Sequence, residues 1–351
     1  MYGEGDLQDA VAAGAISAEA AQALRDHVSA TRSAPVTDEE NFRLVTSFND
    51  IFVTIAAVLL LVAMAGIGNA IAPAVGGLLV AAASWGMAEF FTRKRRMALP
   101  SIVLLLAFVG GIGSAGFELI PTNADAMNER LQTLLAAGTA LAAAVGAWFH
   151  WRRFKVPITV AAGAGAVAAT AIALILTAIG PQPGVEGDDI VMPLVFVAGL
   201  AMFAYAMRWD ISDRGRETRR SDVAFWLHLL AAPMIAHPLF NWLGVTDGDA
   251  IGAGAAVGVL AIYVGLGLVA LAVDRRALLV SALAYVLIAL TWLFDEFGAV
   301  ELNLALTALV IGSALLTLSA FWTPIRSALV EKLPGTLQAR LPLPGAMPRP
   351  A

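Results

Sequence analysis

The sequence contains no cysteine and few charged residues. Without cysteine there are no disulfides, thiolate metal sites, iron–sulfur clusters or cysteine nucleophiles. Charged residues make up 14% of the chain and apolar residues 59%, whereas a soluble domain carries about 25% charged residues. A soluble chain of 351 residues could not cover so much apolar surface with so few charges. This composition excludes a cytosolic enzyme, a disordered chain and a nucleic-acid binder. It predicts an all-α, polytopic helix bundle whose partner is the lipid bilayer.

Sequence motifs of catalysis and cofactor binding are also missing. The chain has no H-E-x-x-H motif, no G-x-S-x-G motif and no ATP-binding motif. We therefore predict no catalytic residue, no metal site and no cofactor. Any coupled transport would have to use an ion or proton gradient.

Apolar runs of membrane-spanning length recur along the chain. The least distinct boundary separates the first two, where Gly66, Gly68, Asn69 and Pro73 form the only break. We predict ten spans at approximately 50–69, 73–91, 101–120, 132–150, 157–180, 190–207, 223–244, 251–273, 277–293 and 302–322.

The basic residues alternate between the segments that join these spans. With a cytoplasmic N-terminus, 21 of the 22 Lys and Arg residues fall in cytoplasmic segments, and only Arg130 lies outside them. Basic residues resist translocation, so this bias predicts that both ends of the chain are cytoplasmic. A missed or additional span would invert every later loop and destroy the pattern.

Two polar segments flank the spans. The chain is therefore predicted to have three regions: a head and linker at 1–49, a transmembrane domain at 50–322 and a tail at 323–351. Residues 6–30 read as two short amphipathic helices broken at Gly14, with Ser17 as the N-cap of the second. Residues 1–49 could bind a protein partner. The proline-rich tail is expected to be extended or disordered from Leu333.

Arginine pairs recur in the predicted cytoplasmic turns. They lie at 95–96, 152–153, 219–220 and 275–276, and a proline follows the first two pairs at identical spacing. Such a pattern indicates duplication of a two-helix hairpin. Two spans and two short loops would produce nearly the same period without any duplication, so both explanations stay open.

The seventh span is the most polar and is expected to be the most broken. It contains His228, Pro233, His237, Pro238 and Asn241. Proline removes an amide donor from a helix, and broken membrane helices often mark binding sites in transporters. His228, His237 and Asn241 are the predicted substrate-binding residues. The alternative is a packing kink with two hydrogen-bonded histidines.

Few other ionisable residues fall within or beside the spans. Glu89 lies four residues before Arg93, so it either forms an ion pair there or acts as a coupling group for a cation or proton. Asp274 and Glu118 lie at helix ends and are expected to face water.

Residues 7–24 contain the turn Gly14-Ala-Ile-Ser17. This head resembles that of an uncharacterised family of bacterial multi-pass inner-membrane proteins, in which a short helical pair precedes tight hydrophobic hairpins with arginine-rich turns. The match covers the head and the first four spans. It implies an architecture and a bacterial inner-membrane location, with no functional residues to carry over. The count of ten spans also resembles the drug/metabolite transporter group, from which the 49-residue head and the hairpin pattern depart.

Three functions are compatible with these features. The leading hypothesis is a gradient-driven transporter or permease of a small solute, because the chain has ten spans and short loops. A second is a membrane scaffold or subunit that acts through its head and tail. A third, a membrane enzyme acting on lipid or glycan, lacks an acid–base pair.

Removing residues 1–36 separates the first two hypotheses. A scaffold should lose its partner in a co-purification assay, because the head is its working surface. A transporter should keep its solute flux in reconstituted vesicles. Partner loss with unchanged flux would place both functions in one chain.

Overall fold

The structure is a computed structural model in which helices account for most of the chain. It describes residues 7, 10–31, 48–120, 129–181, 187–214, 216, 218–245, 252–296 and 302–342. The chain divides into two compact units, Met1–Phe42 and Arg43–Ala351. Within the described residues the regular elements are all helical, which confirms the predicted fold class.

The smaller unit contains the helix Ala18–Thr31. A turn precedes it, in which Gly14 has a φ of 70°, a conformation that glycine adopts without steric cost. The Ser17 hydroxyl accepts a hydrogen bond from the Ala20 amide at 3.1 Å. Both the predicted break and the predicted N-cap are confirmed.

The larger unit contains ten helices long and apolar enough to cross a membrane. They are α1 Phe48–Ile71, α2 Pro73–Ala88, α3 Ala98–Phe117, α4 Glu129–Phe154, α5 Ile158–Ile179, α6 Gly187–Ser212, α7 Arg219–Trp242, α8 Ala253–Val273, α9 Ala277–Glu296 and α10 Asn303–Ala320. A π-helical segment, Glu89–Lys94, extends α2. The chain is thus an integral membrane protein with ten candidate membrane-spanning helices in its described residues, and each predicted span overlaps one of them.

The boundary between α1 and α2 is sharp. Ala72 has extended backbone and Pro73 begins α2, a position where the missing amide hydrogen of proline costs nothing. A Cβ atom added to Gly68 would lie only 2.5 Å from the Cα atom of Gly76. Glycine therefore allows the two helices to touch where the chain reverses, and the least distinct predicted boundary is confirmed.

Helices that are consecutive in the sequence pair as hairpins: α2 with α3, α4 with α5, α6 with α7, and α8 with α9. The four joining turns carry or adjoin the arginine pairs. Each turn also holds one non-glycine residue in left-handed backbone, and these residues are Arg96, Lys155, Arg216 and Asp274. That conformation costs an L-residue about 1–2 kcal/mol. The four turns therefore share a backbone feature, while their origin by duplication stays a hypothesis.

The arginine-bearing turns lie at one end of the bundle, as a common membrane side requires. Neighbouring turns are joined by the ion pair of Arg153 with Glu89 (2.7 Å), by Trp151 and Trp209 packing on one apolar cluster, and by the ion pair of Arg216 with Asp274 (2.9 Å). That this end faces the cytoplasm stays a prediction.

Helix α7 packs against three other spans, α5, α6 and α9. Of its most apolar stretch, 56% is buried, against at most 39% for any other span. Leu227 packs with α5 and α6 side chains on one side of α7, and Phe240 packs with α8 and α9 side chains on another.

The break expected in the seventh span is wrong. Helix α7 runs without interruption from Arg219 to Trp242, with Pro233 and Pro238 inside it. Pro238 is buried among neighbouring helices, where surrounding protein can satisfy the carbonyl group that proline leaves without a donor, whereas Pro233 is exposed.

The extended or disordered tail expected from Leu333 is also wrong as far as Pro342. Helices α11, Trp322–Val330, and α12, Gly335–Gln338, follow α10. Trp322 and Leu341 are buried in an apolar cluster with Leu271. Their apolar surface folds the tail back onto the end of α8, while residues 343–351 lie outside the described part of the chain.

The absence of cysteine makes the membrane orientation directly testable. Lys332 follows α11 and Asp188 begins α6 at the opposite end of the bundle, and both are exposed. A membrane-impermeant maleimide should label Asp188→Cys in intact cells, and Lys332→Cys only after permeabilisation. The reverse pattern would overturn the predicted orientation.

Candidate functional site

An ionic cluster lies inside the bundle at the end where the arginine-bearing turns meet. It consists of Asp210, Arg216, Ser221, His228, Asp274, Arg275, Trp322 and Arg326. The cluster joins α6, α7, the turn between α8 and α9, and α11.

Asp210 is the acceptor at the centre of the first half of this cluster. Arg275 donates to its carboxylate from Nη2 at 2.5 Å and from Nε at 3.4 Å. The Nε2 atom of His228 lies 2.8 Å from Oδ2 of Asp210. None of these three side chains is more than 1% exposed. Because a carboxylate only accepts, Nε2 of His228 carries the hydrogen in this arrangement.

Arg275 also reaches the beginning of α7. Its Nη2 atom donates to the carbonyl oxygen and the hydroxyl of Ser221, both at 3.2 Å. One guanidinium group therefore ties the end of α6, the first turn of α7 and the α8–α9 turn together.

Asp274 organises the second half of the cluster. Its carboxylate accepts from Nη1 of Arg216 at 2.9 Å and from the indole N–H of Trp322 at 2.7 Å. Arg326 lies 3.7 Å away as a further ion pair. The expectation that Asp274 faces water is wrong, since the folded-back tail covers it and leaves 7% exposed.

The tail is held by arginine donors as well as by apolar contacts. Arg214 donates to the Leu341 carbonyl oxygen at 2.8 Å. Arg326 donates to the Pro342 carbonyl oxygen at 2.8 Å. These bonds satisfy carbonyl groups in a segment with little secondary structure of its own.

His237 lies in different surroundings from His228. Its Nδ1 atom is 2.6 Å from the Tyr285 hydroxyl on α9, and Tyr285 stacks on Phe240 at 4.2 Å. Nine residues separate the two histidines, or about 13 Å along a helix axis. The structure therefore directs His228 toward α6 and His237 toward α9. Asn241 is half-buried one turn beyond His237.

Glu89 lies outside both of these surroundings. Its carboxylate accepts from Nε and Nη2 of Arg153 at 2.7 and 3.0 Å, and from Arg93 at 3.3 Å. Its side chain is 32% exposed. The expected ion pair with Arg93 is confirmed, and Glu89 also joins the ends of α2 and α4. A coupling role for Glu89 stays a prediction.

Sequence reasoning missed Asp210, Arg275 and Tyr285 as members of polar sites. Arg275 served only as a topological marker. One signal was available: the turn 274–276 is three residues long, too short to carry a side chain far from the adjoining helices. The sequence spacing does not indicate which carboxylate Arg275 pairs with, because Asp210 is 65 residues away.

Compared with known proteins, the chain matches no protein-family model, no curated protein and no solved structure. The resemblance of the head to a bacterial membrane family stays a prediction.

Arg275 and its neighbour Arg276 form a matched pair for testing the ionic cluster. Arg275→Met leaves the Asp210 charge buried without its guanidinium partner, so we expect a loss of about 3–5 kcal/mol in unfolding free energy. Arg276→Met removes a guanidinium 4.9 Å above the Trp322 ring, a contact worth about 0.5–1 kcal/mol. Unfolding by SDS titration in mixed micelles measures both. Equal losses would contradict the structural role assigned to Arg275.

Proposed function

We propose that the protein is a gradient-driven transporter of a small solute and that α7 holds its site. The observation that carries the proposal is the placement of two histidines inside the bundle on this one helix. His228 binds Asp210 of α6, and His237 binds Tyr285 of α9. Ionisable groups at membrane depth are costly, and they commonly mark ion and substrate pathways.

The position of α7 supports transport over a scaffold role. It is the most enclosed span, so its polar side chains face other helices more than lipid. Helices that only anchor a head and tail need no buried histidine, carboxylate and guanidinium between them. Apolar packing would hold such helices together without the desolvation cost of these groups.

His237 and Asn241 are proposed to bind the solute. They lie four residues apart and so share one side of α7. Tyr285 fixes the His237 ring through the Nδ1 contact. Imidazole and carboxamide groups both donate and accept hydrogen bonds, so they suit a polar solute.

His228 is proposed to couple transport to a proton gradient. Its Nε2 hydrogen is held by Asp210, whereas Nδ1 is buried with no hydrogen-bond partner among the described residues. A neutral imidazole accepts a proton at the ring nitrogen that carries no hydrogen. A proton taken up at Nδ1 would place a second cation against Asp210 and weaken its hold on Arg275. Protonation would thereby loosen the α8–α9 turn. Glu89 stays a second candidate for coupling.

Proteoliposomes test this proposal with the proton as the probe. Vesicles with an entrapped pH-sensitive dye receive an imposed acid gradient and a mixture of amino acids, sugars, nucleosides and organic acids. We expect solute-dependent proton entry in the natural protein. Since a lost polar contact is worth about 1–3 kcal/mol, His237→Phe and Asn241→Ala should each slow it roughly ten-fold or more.

His150→Phe is the matched control. His150 is fully buried like His228, but it packs among Trp85, Phe108 and Phe154 and binds Thr159. Phenylalanine suits that aromatic setting, so flux should be unchanged. No flux with any solute, or an equal loss in His150→Phe, would overturn the proposal. In that case, loss of a co-purifying partner on removal of residues 1–36 would favour the scaffold hypothesis.

A further inference from the structure

A long groove opens between α5 and α6. These helices are consecutive, yet α5 packs mainly on α4 and α6 packs mainly on α7. The resulting cavity measures about 730 Å³ and is bounded by α4, α5 and α6. Its lining is largely apolar and includes the small residues Ala147, Gly163, Ala164, Ala168 and Ala201.

One end of this groove differs from the rest. Trp148, Trp151, Tyr205 and Trp209 line it there, at the end of the bundle that holds the arginine-bearing turns. Indole and phenol rings favour the membrane interface. From Thr159 to Ile175 the groove follows α5 for about 24 Å, at 1.5 Å per residue. It therefore extends from the interface past the middle of a hydrocarbon core about 30 Å thick.

Cations stand beside the aromatic end. The Arg152 guanidinium lies 5.0 Å above the Trp148 ring, and the Lys155 ammonium lies 5.2 Å above the Trp151 ring. Both side chains are exposed, as is that of Arg208, which precedes Trp209. Among the described residues, no acidic side chain lines the groove.

We propose that this groove is a binding site for one anionic phospholipid. An acyl chain lies along the small residues of α5 and α6, and the phosphate sits between Arg152 and Lys155 at the aromatic end. Two observations favour a lipid over a helix from a second copy. The exposed cations Arg152 and Lys155 lie beside the aromatic end, and the rest of the lining is apolar apart from Thr159 at that same end, as a single headgroup and its chain require. The proposal does not depend on transport activity.

Native mass spectrometry of the full chain tests the site. The protein is equilibrated in mixed micelles with equal amounts of phosphatidylglycerol and phosphatidylcholine of identical chains. We expect one retained phosphatidylglycerol and little phosphatidylcholine. Each cation near a membrane surface strengthens anionic binding by about five-fold, so Arg152→Gln with Lys155→Gln should weaken retention roughly 25-fold.

Two matched controls separate the site from general charge effects. Arg95→Gln with Arg96→Gln removes the same charge from the α2–α3 turn, where Arg95 lies 5.5 Å from the Phe90 ring, and should leave retention unchanged. Ala168→Phe narrows the groove and should lower retention of both lipids, whereas Ala169→Phe, on an exposed position outside it, should not.

Three results would overturn the proposal. They are equal retention of the two lipids, an equal loss in the Arg95 and Arg96 control, and a dimer that Ala168→Phe dissociates. The last result would assign the groove to a second copy of the chain.

Discussion

The ion pair between Arg275 and Asp210 is the interaction on which the arrangement of α6, α7 and the α8–α9 turn depends. Both groups are almost completely buried, and a buried charge is tolerated only when it is paired and hydrogen-bonded. Asp210 meets this condition through Arg275 and His228, and Arg275 meets it through Asp210 and Ser221. The positions of α6, α7 and the α8–α9 turn are thereby linked, because displacing any one of them would leave a charge without its partner.

The adjacent residue, Asp274, extends the same constraint to the tail. Its left-handed backbone ends α8. Its carboxylate contacts Arg216, Trp322 and Arg326. The tail in turn covers this region and leaves Asp274, Trp322 and Arg326 buried. A membrane domain and its following segment are therefore packed as one unit by neighbouring residues of a three-residue turn.

Hairpin pairing explains both the enclosed helix and the open groove. Because α4 pairs with α5 and α6 pairs with α7, the contact between α5 and α6 is left incomplete. Helix α7 is enclosed because it packs on α5, α6 and α9 together. One arrangement thus places polar side chains in the core and an apolar groove at the lipid boundary.

Hydropathy, proline and glycine positions and the distribution of arginine predicted the ten spans, their boundaries and their common end, because these features act locally or through the membrane itself. The polar seventh span was also visible, including His228, His237 and Asn241. Its continuity, the burial of Asp274, the folded tail and the partners Asp210, Arg275 and Tyr285 were decided only by tertiary packing. Those contacts join residues 16 to 127 positions apart, and no local pattern encodes which distant side chain satisfies a buried charge.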